Sequence, residues 1–251
     1  MRHTPNMMRR KAPNPTMNDM AELLRRSKVT IGPMQMEQLW RYHNLIRKRN
    51  TDNELTRLKG FEAMVIKHYA DSMIIGNFMA LPSPLVDIGT GAGLPGVPLK
   101  IRYPNIKLIL AEPRPKRVLF LNEVIKELRL TQTHVFDHKV VSASFTKPVN
   151  GVITRAVEPI EKTILRTTAS LQQNGFLIFL KGPAVEPEIE QALRRFNGRY
   201  RLHLDKAYTI PETPHERRLV VFQRLDAPTI TAPGEVSAEE TEETPPSDDA
   251  L

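Results

Sequence analysis

The chain has 251 residues, of which 40% are hydrophobic and 25% charged, with a net charge of +8 and no cysteine. The lack of cysteine excludes disulfides, thiolate metal sites and a cysteine nucleophile. No apolar run reaches the about 18 residues of a membrane helix, and no apolar run follows the basic start as in a signal peptide. We therefore expect a cytoplasmic protein that needs neither a membrane nor a metal.

The charge is unevenly distributed along the chain. From Asp226 onward there are eight acidic residues and no Lys or Arg, so 36 basic residues stand against 20 acidic ones in the rest of the chain. A body this basic indicates a polyanionic partner, most simply nucleic acid. The simpler alternative is a basic protein kept soluble by its charge.

The two ends and the first third of the chain differ in pattern from the middle. Residues 1–16 contain three prolines and predict a disordered basic arm, and residues 226–251 predict a disordered acidic tail. Residues 17–80 predict an N-terminal helical extension. One helix is expected to begin at Gly32-Pro33, and apolar residues at helical spacing over 61–72 predict a second.

Residues 81–225 alternate between short apolar strands and amphipathic helices. Strands are predicted to end near Asp87, Glu112, Phe136 and Thr154, and a helix over about 161–171 precedes a fifth strand over 176–180. Two further strands, 201–209 and 219–223, are expected to close the sheet as a pair. This order predicts an α/β fold with a doubly wound, mainly parallel sheet of the Rossmann-like type.

A glycine-rich loop follows the first strand and precedes a helix. Glycines permit a sharp turn and a close approach to a ligand, and the helix start adds free N–H groups. Two patterns overlap here: G-x-G-x-x-G, which is typical of dinucleotide binding, and D-x-G-x-G-x-G, which is typical of S-adenosylmethionine binding. Asp87 favours the second pattern, because its negative charge would repel a pyrophosphate. The loop residues expected to bind the cofactor are Asp87, Gly89, Gly91, Gly93, Leu94 and Gly96.

Charged residues follow the later strands. Glu112 ends the second strand and suits a ribose hydroxyl, which both cofactors have. Lys116 opens the next helix, while Arg155 and Lys181 end the fourth and fifth strands, where side chains of an open α/β sheet face the ligand. The alternative for the three cations is a solvated surface position or a structural salt bridge.

The loop and its extension, Leu94-Pro95-Gly96-Val97-Pro98, resemble the RsmG family (glucose-inhibited division protein B), which methylates guanine N7 in 16S ribosomal RNA. The resemblance runs from about Trp40 to Gly182. It implies a Rossmann-like methyltransferase sheet, S-adenosylmethionine as cofactor, and small-subunit ribosomal RNA or a ribosomal particle as partner of a monomer. Further matches keep the family's order: Leu55-Thr56, His68 to Ser72, Lys116-Arg117 with Phe120-Leu121, Thr154-Arg155-Ala156 and Lys181-Gly182.

The resemblance also assigns residues to the site. Gly89, Leu94 and Arg155 fall at cofactor-binding positions, as do Val140 and Val141 after the third strand. The family usually has an Arg and a Glu in that segment. Here Lys139 replaces the Arg and the Glu is missing, so backbone contacts to adenine would survive and an acidic side-chain contact would not.

The proposed chemistry needs no general base, because guanine N7 has a free lone pair. Lys116, Arg117, Arg155 and Lys181 are expected to position RNA phosphates or the donor carboxylate. His68, Asp71 and Ser72 are expected to line the base pocket, and the alternative for them is helix packing and capping. Two other functions remain open: an NAD-dependent oxidoreductase and a catalytically impaired RNA-binding protein.

Overall fold

The computed structural model describes residues 14–227, apart from residues 143, 146 and 212. The predicted arm up to residue 13 and the predicted tail from residue 228 lie outside the described residues. Thr16, which the sequence analysis placed in the arm, caps the first helix: its hydroxyl accepts from the Asp19 amide, and its own amide donates to the Asp19 carboxylate. None of the helices in the described range is long and apolar enough to cross a membrane.

Seven strands form one sheet in the order β3-β2-β1-β4-β5-β7-β6. The first five strands run parallel, and β7 runs antiparallel to both β5 and β6. The predicted mainly parallel α/β sheet and its closing pair are therefore confirmed. The strands are β1 (Leu85–Ile88), β2 (Leu108–Ala111), β3 (Thr133–Phe136), β4 (Val149–Arg155), β5 (Leu171–Lys181), β6 (Tyr200–Thr209) and β7 (Glu216–Arg224).

The helices begin near the residues that the sequence indicated. Gly32 is the N-cap of the second helix, and Pro33 occupies its first turn. The third is one helical segment, residues 61–77, that widens over Val65–Ala70 and tightens over Ile74–Asn77. Wide turns of this kind are frequent at functional sites. The helices are α1 (Met17–Arg26), α2 (Pro33–Asn53), α3 (residues 61–77), α4 (Gly96–Arg102), α5 (Pro115–Glu127), α6 (Ile160–Thr167) and α7 (Glu186–Arg195).

The sheet separates two hydrophobic layers, because side chains alternate between its faces. In β1, Leu85 packs in the first layer and Val86 and Ile88 pack in the second. The first layer contains residues of α1 to α5, and the second contains residues of α6 and α7. The N-terminal helices therefore share one continuous core with the sheet. The predicted boundary between an extension and a Rossmann-like domain stays a prediction.

The helix predicted over 161–171 is shorter than expected. It ends at Thr167, and β5 already begins at Leu171. The Thr168 hydroxyl donates to the carbonyl of Ile164 (2.9 Å), and the fully buried guanidinium of Arg224 binds the carbonyls of Thr168 and Leu171. The contacts with the Ile164 and Thr168 carbonyls satisfy groups at the helix end without a further helical turn, and the contact with Leu171 ties the helix end to the start of β5.

The chain order of the sheet reverses at β1, which lies between β2 and β4. In an open α/β sheet, ligands bind outside the carboxyl ends of the strands at such a reversal. The glycine-rich loop follows β1, Glu112 follows β2, and Arg155 ends β4. The fold thus gathers three of the predicted segments at one edge of the sheet.

Candidate active site

The glycine-rich loop connects β1 to α4 and turns through several left-handed residues. Gly93 has φ +98°, and a Cβ added there would lie 2.6 Å from Cγ2 of Val97. Gly96 approaches β1 so closely that an added Cβ would lie 2.7 Å from the carboxylate of Asp87. Both positions therefore require glycine for reasons of packing and conformation.

Asp87 is fully buried at the end of β1 and holds the loop closed. Its Oδ2 accepts hydrogen bonds from the Thr90 hydroxyl (2.6 Å) and the Gly96 amide (2.7 Å). Its Oδ1 is buried and has no hydrogen-bond partner in the described part of the protein. Burial raises the pKa of this carboxyl to about 7, against the opposing effects of these hydrogen bonds and the Arg155 charge.

Glu112 is buried just beyond β2 and joins two segments of the site. One carboxylate oxygen accepts from the Gly91 amide (3.0 Å), and the other accepts from the Arg114 amide (3.1 Å). The Arg117 guanidinium lies 3.8 Å from the first oxygen. Each oxygen retains a lone pair for a further donor such as a ribose hydroxyl.

A cleft of about 390 Å³ opens at this edge of the sheet. Its volume is within the range of about 300–1,000 Å³ that is common for small-molecule sites. The cleft brings together the predicted residues Gly89, Glu112 and Val140. It is also lined by basic residues from three connections, namely Arg114, Arg117, His138, Lys139 and Arg166.

Several predicted cofactor residues lie behind the cleft wall instead of lining it. Gly91 contributes its amide to Glu112, Leu94 packs in the first hydrophobic layer, and Gly96 contacts Asp87. Val140 is buried against the cleft, whereas Val141 is 56% exposed and is not among the lining residues. The structure thus divides the predicted set into residues that face the cleft and residues that shape its loop.

A second cluster surrounds Arg155 on the α3 side of the sheet. The Arg155 guanidinium lies 3.6 Å from the Asp71 carboxylate and donates to the Ser72 hydroxyl over 3.3 Å. Asp71 is 2% exposed, so this ion pair is shielded from water. The structure therefore joins Arg155, Asp71 and Ser72, which the sequence had placed in two different pockets.

His68 belongs to the same cluster and is held by the loop before α3. Its Nε2 lies 2.7 Å from the Thr56 hydroxyl. Burial, together with the charge of Arg155, lowers the pKa of His68 to about 4. The imidazole is therefore neutral at physiological pH and adds no positive charge to the cluster.

The closing strand pair completes this cluster, which the sequence analysis did not anticipate. The Tyr208 hydroxyl from β6 donates to Asp71 (3.0 Å), and the Arg217 guanidinium from β7 lies 3.5 Å from the same carboxylate. Tyr208 and Arg217 lie far from Asp71 along the chain and belong to none of the sequence motifs. We call His68, Asp71, Ser72, Arg155, Tyr208 and Arg217 the Asp71 cluster.

Tyr42 is a second residue that the sequence analysis missed. It is fully buried on α2, and its hydroxyl donates to the carbonyl of Ala92 in the glycine-rich loop (2.7 Å). Its ring lies 5.8 Å from that of Tyr69 on α3. The predicted helix start at Gly32-Pro33 gave no sign of this polar contact.

The two remaining predicted cations, Lys116 and Lys181, belong neither to the lining of the cleft nor to the Asp71 cluster. Lys116 is exposed in the first turn of α5. Lys181 donates to the Glu188 carboxylate and the Glu158 carbonyl, both over 2.8 Å. This salt bridge is the structural alternative that the sequence left open for Lys181, and its role toward RNA stays a prediction.

The solved structures include a protein of the same fold. The crystal structure of a ribosomal protein L11 methylase from Lactobacillus delbrueckii subsp. bulgaricus superposes with a TM-score of 0.50 at 15% identity. The match covers 64% of this chain and 79% of that chain. This superposition supports the α/β fold described above.

Sequence comparison identifies the family. The profile described as GidB, rRNA small subunit methyltransferase G, matches residues 35–218. A protein named ribosomal RNA small subunit methyltransferase G 2 from Syntrophobacter fumaroxidans is 48% identical over 218 residues, which is 87% of this chain but only 43% of that relative's length.

Two further relatives are matched over most of their length. A protein of the same name from Bdellovibrio bacteriovorus is 40% identical, over 78% of this chain and 76% of its own length. Ribosomal RNA small subunit methyltransferase G from Carboxydothermus hydrogenoformans is 33% identical, over 78% and 86%. These matches do not favour the NAD-dependent oxidoreductase and confirm the predicted methyltransferase class. This chain belongs to the rRNA small subunit methyltransferase G family.

Proposed function

We propose that this protein transfers a methyl group from S-adenosylmethionine to N7 of a guanine in small-subunit ribosomal RNA. The observation that carries the proposal is the cleft at the carboxyl ends of β1, β2 and β4, where Gly89, Glu112 and Val140 converge. The family's name is the second support, because it specifies the RNA class. We expect the enzyme to act as a monomer in the cytoplasm.

The residues that line the cleft fit this donor. Gly89 presents backbone where an added Cβ would lie 2.8 Å from Val157, so the wall has no room for a side chain. Glu112 would accept hydrogen bonds from ribose hydroxyls, and the buried Val140 would pack against adenine. Asp87 would act through the loop amides or a water molecule, since its carboxylate is buried. When bound, the donor supplies an electrophilic methyl group on a sulfonium.

The chain's own residues then have to place the guanine and control the local charge. N7 attacks with its lone pair, so no side chain has to remove a proton. The base becomes cationic, and neighbouring positive charge would oppose the reaction. The neutral His68 adds no positive charge beside the base, and the Asp71 carboxylate offsets part of the charge of Arg155 and Arg217. These two arginines exceed that carboxylate by one charge and would hold a phosphate.

Methyl transfer with tritium-labelled donor and protein-free small-subunit ribosomal RNA tests this function. We expect label in RNA, located at a guanine where reduction and aniline treatment cleave the strand, as they do at N7-methylguanine. Label on another base, or on protein alone, would refute the proposed acceptor. Binding of NAD in place of S-adenosylhomocysteine would refute the donor.

A further inference from the structure

The rim of the cleft carries more positive charge than the binding of the proposed donor requires. Among the described residues, four Lys or Arg side chains line the cleft, against the single carboxylate of Glu112. Two of these cations have partners: Arg117 lies 3.8 Å from Glu112 and also donates to the Glu54 carbonyl, and Arg166 lies 2.8 Å from Glu158. Arg114 and Lys139 remain.

Arg114 and Lys139 are exposed, and neither side chain has an ion pair or hydrogen bond with any described residue. Arg114 lies in the connection after β2, and Lys139 lies in the connection after β3. Because β2 and β3 are adjacent and parallel, the two connections leave the same edge of the sheet. The two cations therefore flank one end of the cleft.

That end is where the proposed function places the adenosine, between Glu112 and Val140. Adenosine is uncharged, and the donor as a whole carries an ammonium and a sulfonium against one carboxylate. Two unpaired cations would oppose the binding of such a ligand, so we expect them to bind a different, anionic ligand. In an rRNA methyltransferase the available polyanion is the RNA backbone.

We propose that the RNA backbone crosses the rim at Arg114 and Lys139 and covers the adenosine end of the bound donor. This inference rests on the proposed function. It has a kinetic consequence, since a ligand that lies under the RNA can neither enter nor leave freely. The donor then binds before the RNA, and S-adenosylhomocysteine leaves after it.

The first test measures the salt dependence of RNA binding by Arg114→Gln, Lys139→Gln and the double variant, without donor. Each lost phosphate contact to single-stranded RNA makes the slope of log affinity against log salt less steep by about 0.7. We therefore expect the slope of the double variant to be less steep than that of the wild type by about 1.4. Lys107→Gln is the matched control, because Lys107 is exposed at the opposite end of β2. Equal slopes in all four variants and the wild type would overturn the proposal.

The second test follows the release of labelled S-adenosylhomocysteine with and without RNA. We expect RNA to slow release from the wild type and from Lys107→Gln by about tenfold, and the double variant to lose most of this effect. An unchanged release rate in the wild type would overturn the proposed cover. A wild type that methylates no ribosomal RNA would instead refute the proposed function, which separates the two failures.

Discussion

Asp87 holds the glycine-rich loop in place, but burial makes the charged form of its carboxyl unfavourable. Its Oδ2 closes the glycine-rich loop onto β1, while its Oδ1 is buried without a partner. Burial raises the pKa of the carboxyl to about 7 from its ordinary value of 3.8. Between these values the folded protein holds a proton that the unfolded chain has released, so the folded state loses stability as the pH rises.

Asp87→Asn removes this titration and keeps an oxygen for Thr90 and Gly96. We expect the free energy of unfolding of the variant, relative to the wild type, to increase from about pH 5 to about pH 8. Urea unfolding at several pH values measures that difference and cancels the contributions of the histidines. A difference that does not change with pH would show that Asp87 is already ionised across this range.

The loop glycines differ in what a side chain would cost. At Gly91 (φ +60°) an added Cβ lies 3.6 Å from the nearest atom outside the turn, whereas at Gly93 (φ +98°) it lies 2.6 Å from Val97. We expect Gly91→Ala to cost about 1 kcal/mol of unfolding free energy from backbone strain alone, and Gly93→Ala about 3 kcal/mol. Thermal unfolding of the two variants checks the order, and equal losses would contradict the assigned packing at Gly93.

At the scale of elements, the closing strand pair reaches across the sheet edge to α3. Arg217 and Arg218 are adjacent on β7 and have different partners. Arg217 faces Asp71, whereas Arg218 forms ion pairs with Asp205 and Glu186 at the surface. Substituting each of these two residues in turn therefore distinguishes a role in the Asp71 cluster from a general contribution to the stability of β7.

Arg217→Gln should lower kcat/KM for RNA by about tenfold, because one of two cations beside Asp71 is lost, and Arg217→Lys should restore part of the activity. Donor affinity measured without RNA should change by less than about twofold. Arg218→Gln removes ion pairs with Asp205 and Glu186, which lie away from Asp71, and should keep its activity. Similar losses of activity in Arg217→Gln and Arg218→Gln would mean that β7 acts through stability alone.

At the scale of the whole molecule, the N-terminal helices and the sheet are bound into one core. Met20 of α1 and Tyr42 of α2 belong to the same hydrophobic layer as Leu85 of β1. Arg49 of α2 forms a two-pronged ion pair with Glu123 of α5, which adds a polar link between the two parts. These links oppose independent unfolding of the extension.

The single tryptophan of the chain, Trp40, lies on α2 and reports on the N-terminal helices. We expect its fluorescence and the far-ultraviolet circular dichroism of the whole protein to change in one coincident transition with denaturant. An earlier transition of Trp40 would show that the extension is a separate unit, as the predicted domain boundary implies.

The sequence by itself determined the sheet and the glycine-rich loop. Strand and helix periods, and the glycines between Asp87 and Gly96, are local patterns, and parallel strands bring their carboxyl ends together whatever the details of packing. The tertiary structure decided the rest. Contacts of Asp71 with Tyr208 and Arg217, of Tyr42 with Ala92, and of Arg224 with Thr168 join residues far apart in the chain, so no local pattern encodes them. The same holds for the division of the loop into residues that face the cleft and residues that only shape it.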